Sequence, residues 1–120
     1  MTYEAERFYI TDKAYVDFKQ LFTINKSKAF YVTRAKKNFN FERISSLKPD
    51  KINGIICDQT VKLNKIKSST YYPVVSRRIK YFDKEHHRTF VFLTNNFTQT
   101  AVDIAMLYKY RREVKLFLNG

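Results

Sequence analysis

Three residues near the C terminus have the types and the spacing to handle a phosphodiester. Ile104, Tyr108, Arg111, Lys115 and Leu118 recur at intervals of four, three, four and three, so a helix through them places all five on one face. At about 100° per residue, Tyr108 and Lys115 project within ~20° of each other, and Arg111 lies ~60° away. A phenol, a guanidinium and an ammonium on one stripe can grip a phosphate backbone, the arginine through bidentate hydrogen bonds. The same pattern also reads as a core-facing Tyr108, with Arg111, Arg112 and Lys115 placed at the negative end of the helix dipole. Composition alone leaves both readings open. Near the other terminus, Asp12 closes a β-prone run and is either a helix N-cap or a hard oxygen ligand for a divalent cation.

Other polar groups carry less. His86-His87 stands beside Asp83 and Glu85, a metal-capable set that more simply reads as a solvated, turn-forming segment. Arg77-Arg78-Ile79-Lys80 falls on an expected strand, where alternate side chains point to opposite faces, so it is not one four-charge patch. Asn95-Asn96 reads as a turn. Cys57 is the single cysteine, cannot form an internal disulfide, and reads as a small core residue.

The elements that must position these groups follow from periodicity. Residues 7–11, RFYIT, form a short strand. In residues 14–26, Tyr15, Phe18, Leu21 and Phe22 share a helical face with Asn25 at its margin, which predicts a helix. Residues 29–34, AFYVTR, are the next strand, and the β–α–β order makes the two strands parallel. Between residues 37 and 96 the pattern changes to β-branched and aromatic runs: FNFERI, GIICDQTVKLN, YYPVVSRRIKYFD and TFVFLTNNF. Turn-like KPDKING, KIKSST and DKEHHR separate them, which predicts an antiparallel meander of three to five strands. With two Gly and two Pro in the whole chain, Asn, Asp, Ser and Lys must make the turns. Residues 99–118, free of Pro and Gly, predict the longest helix, with Thr98 or Thr100 as N-cap and Asp103 in its first turns.

The bulk numbers bound the partners. At 120 residues the chain holds one domain or part of one, and 44% apolar residues argue against wholesale disorder. No apolar run is long enough to span a bilayer, and the start lacks the pattern of a signal peptide, so a reducing cytoplasm without membrane insertion is expected. Lys+Arg 23 against Asp+Glu 11 gives +12, in a chain that is 17% aromatic. Residues 1–60 carry 11 basic and 7 acidic groups, and residues 61–120 carry 12 and 4. A field of this sign favours nucleic acid through counterion release.

Longer blocks then point to a family. The stretch TDKAYVDFKQLFTINKSKAFYVTRAKKNFNF resembles the part of insertion-sequence-4-type DDE transposases that reads DRGYVDF, then a helix, then a strand of the form AFFVTRAK. RRIKYFD, TFVFLTNNF and AVDIAMLYKYR resemble, in the same order, the stretch leading to that family's catalytic helix. The resemblance covers nearly all of the chain after the first half-dozen residues. It implies a ribonuclease-H-like fold whose Asp, Asp and Glu bind two Mg²⁺ ions for in-line attack on DNA. Asp12 matches the family's second aspartate, although Asp-Arg-Gly-Tyr reads Asp12-Lys13-Ala14-Tyr15 here. The family's signature of Tyr, two residues, Arg, three residues, Glu, six residues, Lys finds Tyr108 and Arg111, but Lys115 stands at the glutamate position. Glu113 is turned ~200° from Arg111 and does not replace it. The resemblance places the first aspartate upstream of Met1 and the last lysine beyond Gly120.

The resulting expectation is an α/β chain with a partial ribonuclease-H-like core (7–36, β–α–β), an inserted antiparallel β region (37–96) and the catalytic-type helix (99–118). Functionally it is a truncated transposase remnant that contacts DNA through Tyr108 and Arg111. Asp12 is its remaining metal ligand, and productive Mg²⁺ binding is not expected. The rival reading is a stand-alone basic nucleic-acid-binding protein without catalysis. An unpartnered strand edge at 7–11 predicts self-association.

Overall fold

The computed structural model describes residues 3–11, 18–35, 40–63 and 74–113. Strands β1 (Phe8–Thr11) and β2 (Phe30–Arg34) flank helix α1 (Phe18–Lys26). The two strands run parallel, with Phe8 opposite Phe30 and Thr11 opposite Thr33. Four strands follow as an antiparallel meander: β3 (Phe41–Ser46), β4 (Ile55–Leu63), β5 (Ser76–Asp83) and β6 (Arg88–Thr94). Helix α2 (Ala101–Glu113) closes the described chain. The expected helix at 14–26 is therefore described from Phe18 onward, and the expected KIKSST turn lies outside the described residues.

One pairing was not legible in the sequence. β6 returns to pair antiparallel with β2, Val32 opposite Thr94 and Arg34 opposite Phe92. All six strands form one sheet in the order β1-β2-β6-β5-β4-β3. The meander strands thus continue the sheet begun by β1 and β2. The reason is burial on both faces: Tyr31 and Val32 of β2 and Phe92 and Leu93 of β6 are all at most 1% exposed. Apolar neighbours of this kind satisfy their backbone groups and cover their side chains together. β1 lies at the outer edge of the sheet, with no further described strand beside it.

Each helix covers one face. Leu21 and Ile24 of α1 pack with Tyr3, Ala29, Tyr31, Val61 and Leu93, and Phe18 and Phe22 border that cluster. On the opposite face Ala101, Ile104, Ala105 and Tyr108 of α2 pack onto Val32, Ile55, Ile79, Tyr81, Phe90 and Phe92. The spacing of three or four is what turns those four side chains toward one surface. The two alanines let the helix approach closely, and Tyr108 fills the space beyond them, 4.7 Å from the Phe92 ring and 5.4 Å from Phe90.

Polar caps fix the ends. The Thr100 Oγ1 accepts the Asp103 N–H at 3.1 Å, so Thr100 and not Thr98 is the N-cap of α2. Helix α1 stops at a Schellman motif, in which the Ala29 N–H reaches the Ile24 carbonyl and the Lys28 N–H that of Asn25. Lys28 supplies the left-handed residue (φ 61°) that glycine usually supplies. At Gly54 (φ 86°) the left-handed backbone follows a 3₁₀ turn over Lys51–Asn53. An added Cβ there would lie 2.5 Å from the Phe82 carbonyl oxygen, so no side chain fits.

Candidate functional site

The topology brings the C-terminal ends of β1 and β2 and the second half of α2 to one end of the sheet. β1 and β2 are parallel and β6 is antiparallel to β2, so the C-terminal ends of β1 and β2 lie beside the start of β6. Helix α2 begins where β6 ends and runs back along it, bringing Tyr108 onto Phe90 and Phe92. Lys109 then reaches the β5–β6 turn, where it bonds Glu85 at 2.6 Å. The second half of α2 therefore arrives at the end where both parallel strands finish. In open sheets that contain parallel strands, ligands bind at the carboxyl ends.

Helix α2 is aimed by a buried arginine. Arg77 Nε and Nη2 donate to the two carboxylate oxygens of Asp58 at 2.8 and 2.7 Å. Its Nη1 donates to the carbonyls of Asn96 and Gln99 at 3.1 and 2.6 Å. One planar fork thus ties β4 and β5 to the turn that launches the helix, with the two side chains only 5% and 8% exposed. Asn96 helps from the turn itself, its Oδ1 accepting the Gln99 N–H at 2.8 Å and the Thr98 N–H at 3.1 Å. Asn95 faces the other way. Its amide nitrogen donates to Asn25 Oδ1 and the Ala29 carbonyl, and its oxygen accepts the Tyr31 N–H, each at 2.9 Å. This turn is a junction joining α1, β2, β6 and α2.

A cleft of about 400 Å³ opens at the far end of α2, lined by residues that include Tyr81, Asp83, Arg88, Phe90, Tyr108 and Lys109. Its floor is aromatic. Arg88 and Arg34 place their guanidinium carbons 4.8 and 5.7 Å from the Phe90 ring centre, a cation–π arrangement. Asp83 organises the wall: one carboxylate oxygen accepts the Glu85 N–H at 3.1 Å, and the other meets His86 Nδ1 at 2.7 Å. Burial pushes the Asp83 carboxyl up, but the His86 hydrogen bond and the charges of Lys109 and His86 together hold it below its ordinary value. Burial raises the Tyr81 phenol, and the Asp83 charge adds to that. The Lys109 bond lowers Glu85, and the same bond raises Lys109.

Asp83, Glu85 and His86 bring ligand atoms within 4.8 Å of one another, a set that could hold a metal ion. Each is already engaged, however, since His86 bonds Asp83 and Lys109 bonds Glu85. The cation at Lys109 lies where a divalent ion would have to displace it. The arrangement works as a charge-compensated lock on the hairpin.

The structure places the sequence candidates unequally. Tyr108 is 3% exposed and packs into the core below the sheet end, so its ring matches the core-facing reading. Arg111 belongs to the last described turn of α2, and its side chain lies outside the described set. Asp12 follows the last residue of β1 in sequence and, like Lys115, lies outside the described residues. Arg77 and Asp58 were not singled out as partners, because 19 residues separate them and only the β4–β5 register brings them together.

These elements can be set against known proteins. The sequence profile of the family described as Transposase DDE domain matches residues 2–114. The chain is also 34% identical over 120 residues to y4zB of Sinorhizobium fredii (strain NBRC 101917 / NGR234), which its name assigns provisionally to the transposases. That match takes in 97% of this chain and 33% of the relative, so the chain spans about a third of the relative's length. No solved structure matches. Because the profile match takes in every described strand and helix, and the sheet delivers two parallel strands and the long helix to one end, the chain belongs to the DDE transposase domain family.

Proposed function

We propose that this chain is a DNA-contacting part of an insertion-sequence-4-type transposase catalytic domain that does not itself complete a metal-dependent active site. The convergence of the β1 end, the β2 end and the second half of α2 carries this reading, because it brings the segments preceding Asp12 and Lys115 to one side of the sheet. The charge of +12 supports DNA as the partner. Among the described residues no helix is long and apolar enough to cross a membrane, and a cytoplasmic site of action is part of the proposal. Arg111 is the residue of the signature assigned to phosphate. Tyr108, buried with its hydroxyl out of solvent, is assigned to supporting that helix from below.

DDE transposases generally use Mg²⁺, which takes hard oxygen ligands. The positions of this chain that match the family's carboxylates hold Asp12 and Lys115. An ammonium offers no lone pair and repels the ion, so this donor set does not fit Mg²⁺ and no cleavage step is derived from it. Among the described residues no strand lies beyond β1 in the sheet, which supports pairing of its edge with another strand, from a second copy or from other parts of a longer polypeptide.

The test is binding of the purified chain to a labelled DNA duplex across a salt series, with and without Mg²⁺. Binding that weakens steeply with salt, without nicking, is the expected result. Mg²⁺-dependent nicking that disappears in Asp12→Asn would refute the inactive assignment. No binding at low salt would remove DNA as the partner.

A further inference from the structure

Among the described residues no element covers the α1-side face of the sheet beyond α1, and we propose that this face binds single-stranded DNA. Register and alternation decide which side chains occupy it. Ser76 bonds the Tyr31 hydroxyl within the α1-side cluster, so Arg78, Lys80 and Phe82 follow on that same face of β5. Arg43 of β3 stands opposite Val61 of β4, which belongs to the same cluster, so it joins them. Three cations from two strands thus share one face with two phenylalanines, Phe41 and Phe82.

The carboxylates of these strands are elsewhere. Asp58 and Asp83 lie on the α2 side, Glu42 stands opposite Lys62, and Glu85 is bonded to Lys109. Neither Arg43 nor Lys80 has a carboxylate partner among the described residues. The Arg78 guanidinium carbon sits 4.7 Å from the centre of the Phe41 ring, and Nη1 donates to Gln59 Oε1 at 3.0 Å, which holds the guanidinium over the ring. Phe82 is 36% exposed, next in line after Lys80. Arg78, Lys80 and Phe82 stand about 7 Å apart along β5. Cations tracking a backbone beside an exposed ring that accepts a stacked base form the pattern of a single-strand platform. A duplex offers no unstacked base to Phe82, which is why the single strand is the better occupant.

This face is opposite α2, so the inference needs nucleic acid as the partner class but not the α2 contacts proposed above. The experiment is fluorescence anisotropy of the whole chain with fluorescein-labelled oligo(dT), alongside a duplex of the same length, over a salt series. Lys80→Glu and Arg43→Glu are each expected to weaken oligo(dT) binding about tenfold and to lower the salt slope by about one. Phe82→Ala is expected to weaken it about tenfold with the salt slope unchanged, and Phe82→Tyr to restore it. All three positions are at least partly exposed, and circular dichroism confirms that the variants fold. Oligo(dT) affinity unchanged in these variants, while the duplex still binds, overturns this inference and leaves the α2 reading standing. Absence of binding to either form overturns both.

Discussion

Replacing Arg77 by methionine tests the claim that one buried fork aims helix α2. The substitution keeps most of the side-chain volume and removes four hydrogen bonds: two to Asp58 and one each to the carbonyls of Asn96 and Gln99. Asp58, 8% exposed at its side chain, is left as an unpaired buried charge. Removing one partner of such a pair costs about 3–5 kcal/mol, against a total stability of about 5–15 kcal/mol for a domain. With a urea slope of about 2 kcal/mol/M, the unfolding midpoint should fall by about 1.5–2.5 M. The double variant Asp58→Leu/Arg77→Met removes the orphaned charge and should recover much of the loss. It should keep a deficit of about 1–3 kcal/mol from the two carbonyls that lose their donor. Arg77→Lys should fall between, since an ammonium cannot span both carboxylate oxygens and the helix turn. Amide hydrogen exchange at Ile104 and Ala105 should quicken in Arg77→Met before exchange in β4 does. A midpoint shift below about 0.5 M, or single-variant losses that simply add in the double, would refute the reasoning.

Three further predictions follow from the caps and from the hairpin lock. Thr100→Ala removes the Oγ1 acceptor from the Asp103 N–H and should cost about 1 kcal/mol in urea unfolding, whereas Thr98→Ala should leave α2 unaffected. Lys28→Gly should stabilise the chain by about 0.5–1 kcal/mol, because the left-handed backbone at φ 61° strains a side chain and suits glycine; a loss of stability on thermal unfolding would contradict the Schellman assignment. Asp83 has a folded pKa below its unfolded value, so its contribution is fully present above about pH 4 and is lost as pH falls through the folded value. The stability gap between the unaltered chain and Asp83→Asn should accordingly be widest near pH 6 and close toward pH 3, and a gap independent of pH would show that the His86 bond contributes nothing.

The local elements were legible because each is written in a short-range period. Runs of β-branched and aromatic residues between turn-like segments marked β4, β5 and β6, and a Pro- and Gly-free stretch with Ile104, Tyr108, Arg111, Lys115 and Leu118 on one face marked α2, while scarcity of glycine left αL positions to Lys28 and His87. The transposase DDE domain family was legible as well, in several blocks read together and not in any one of them. Period alone could not decide what Tyr108 does, since a stripe is the same stripe whether it faces a sheet or a phosphate. Only the packing of α2 onto Phe90 and Phe92 turned its first half inward. Nor could local pattern find the β2–β6 pairing, the Arg77–Asp58 fork or the face on which described strands carry Arg43, Arg78 and Lys80 without a carboxylate. Those depend on which distant strands become neighbours, and that choice is made by burial of both faces of the central strands, a property of the whole sheet.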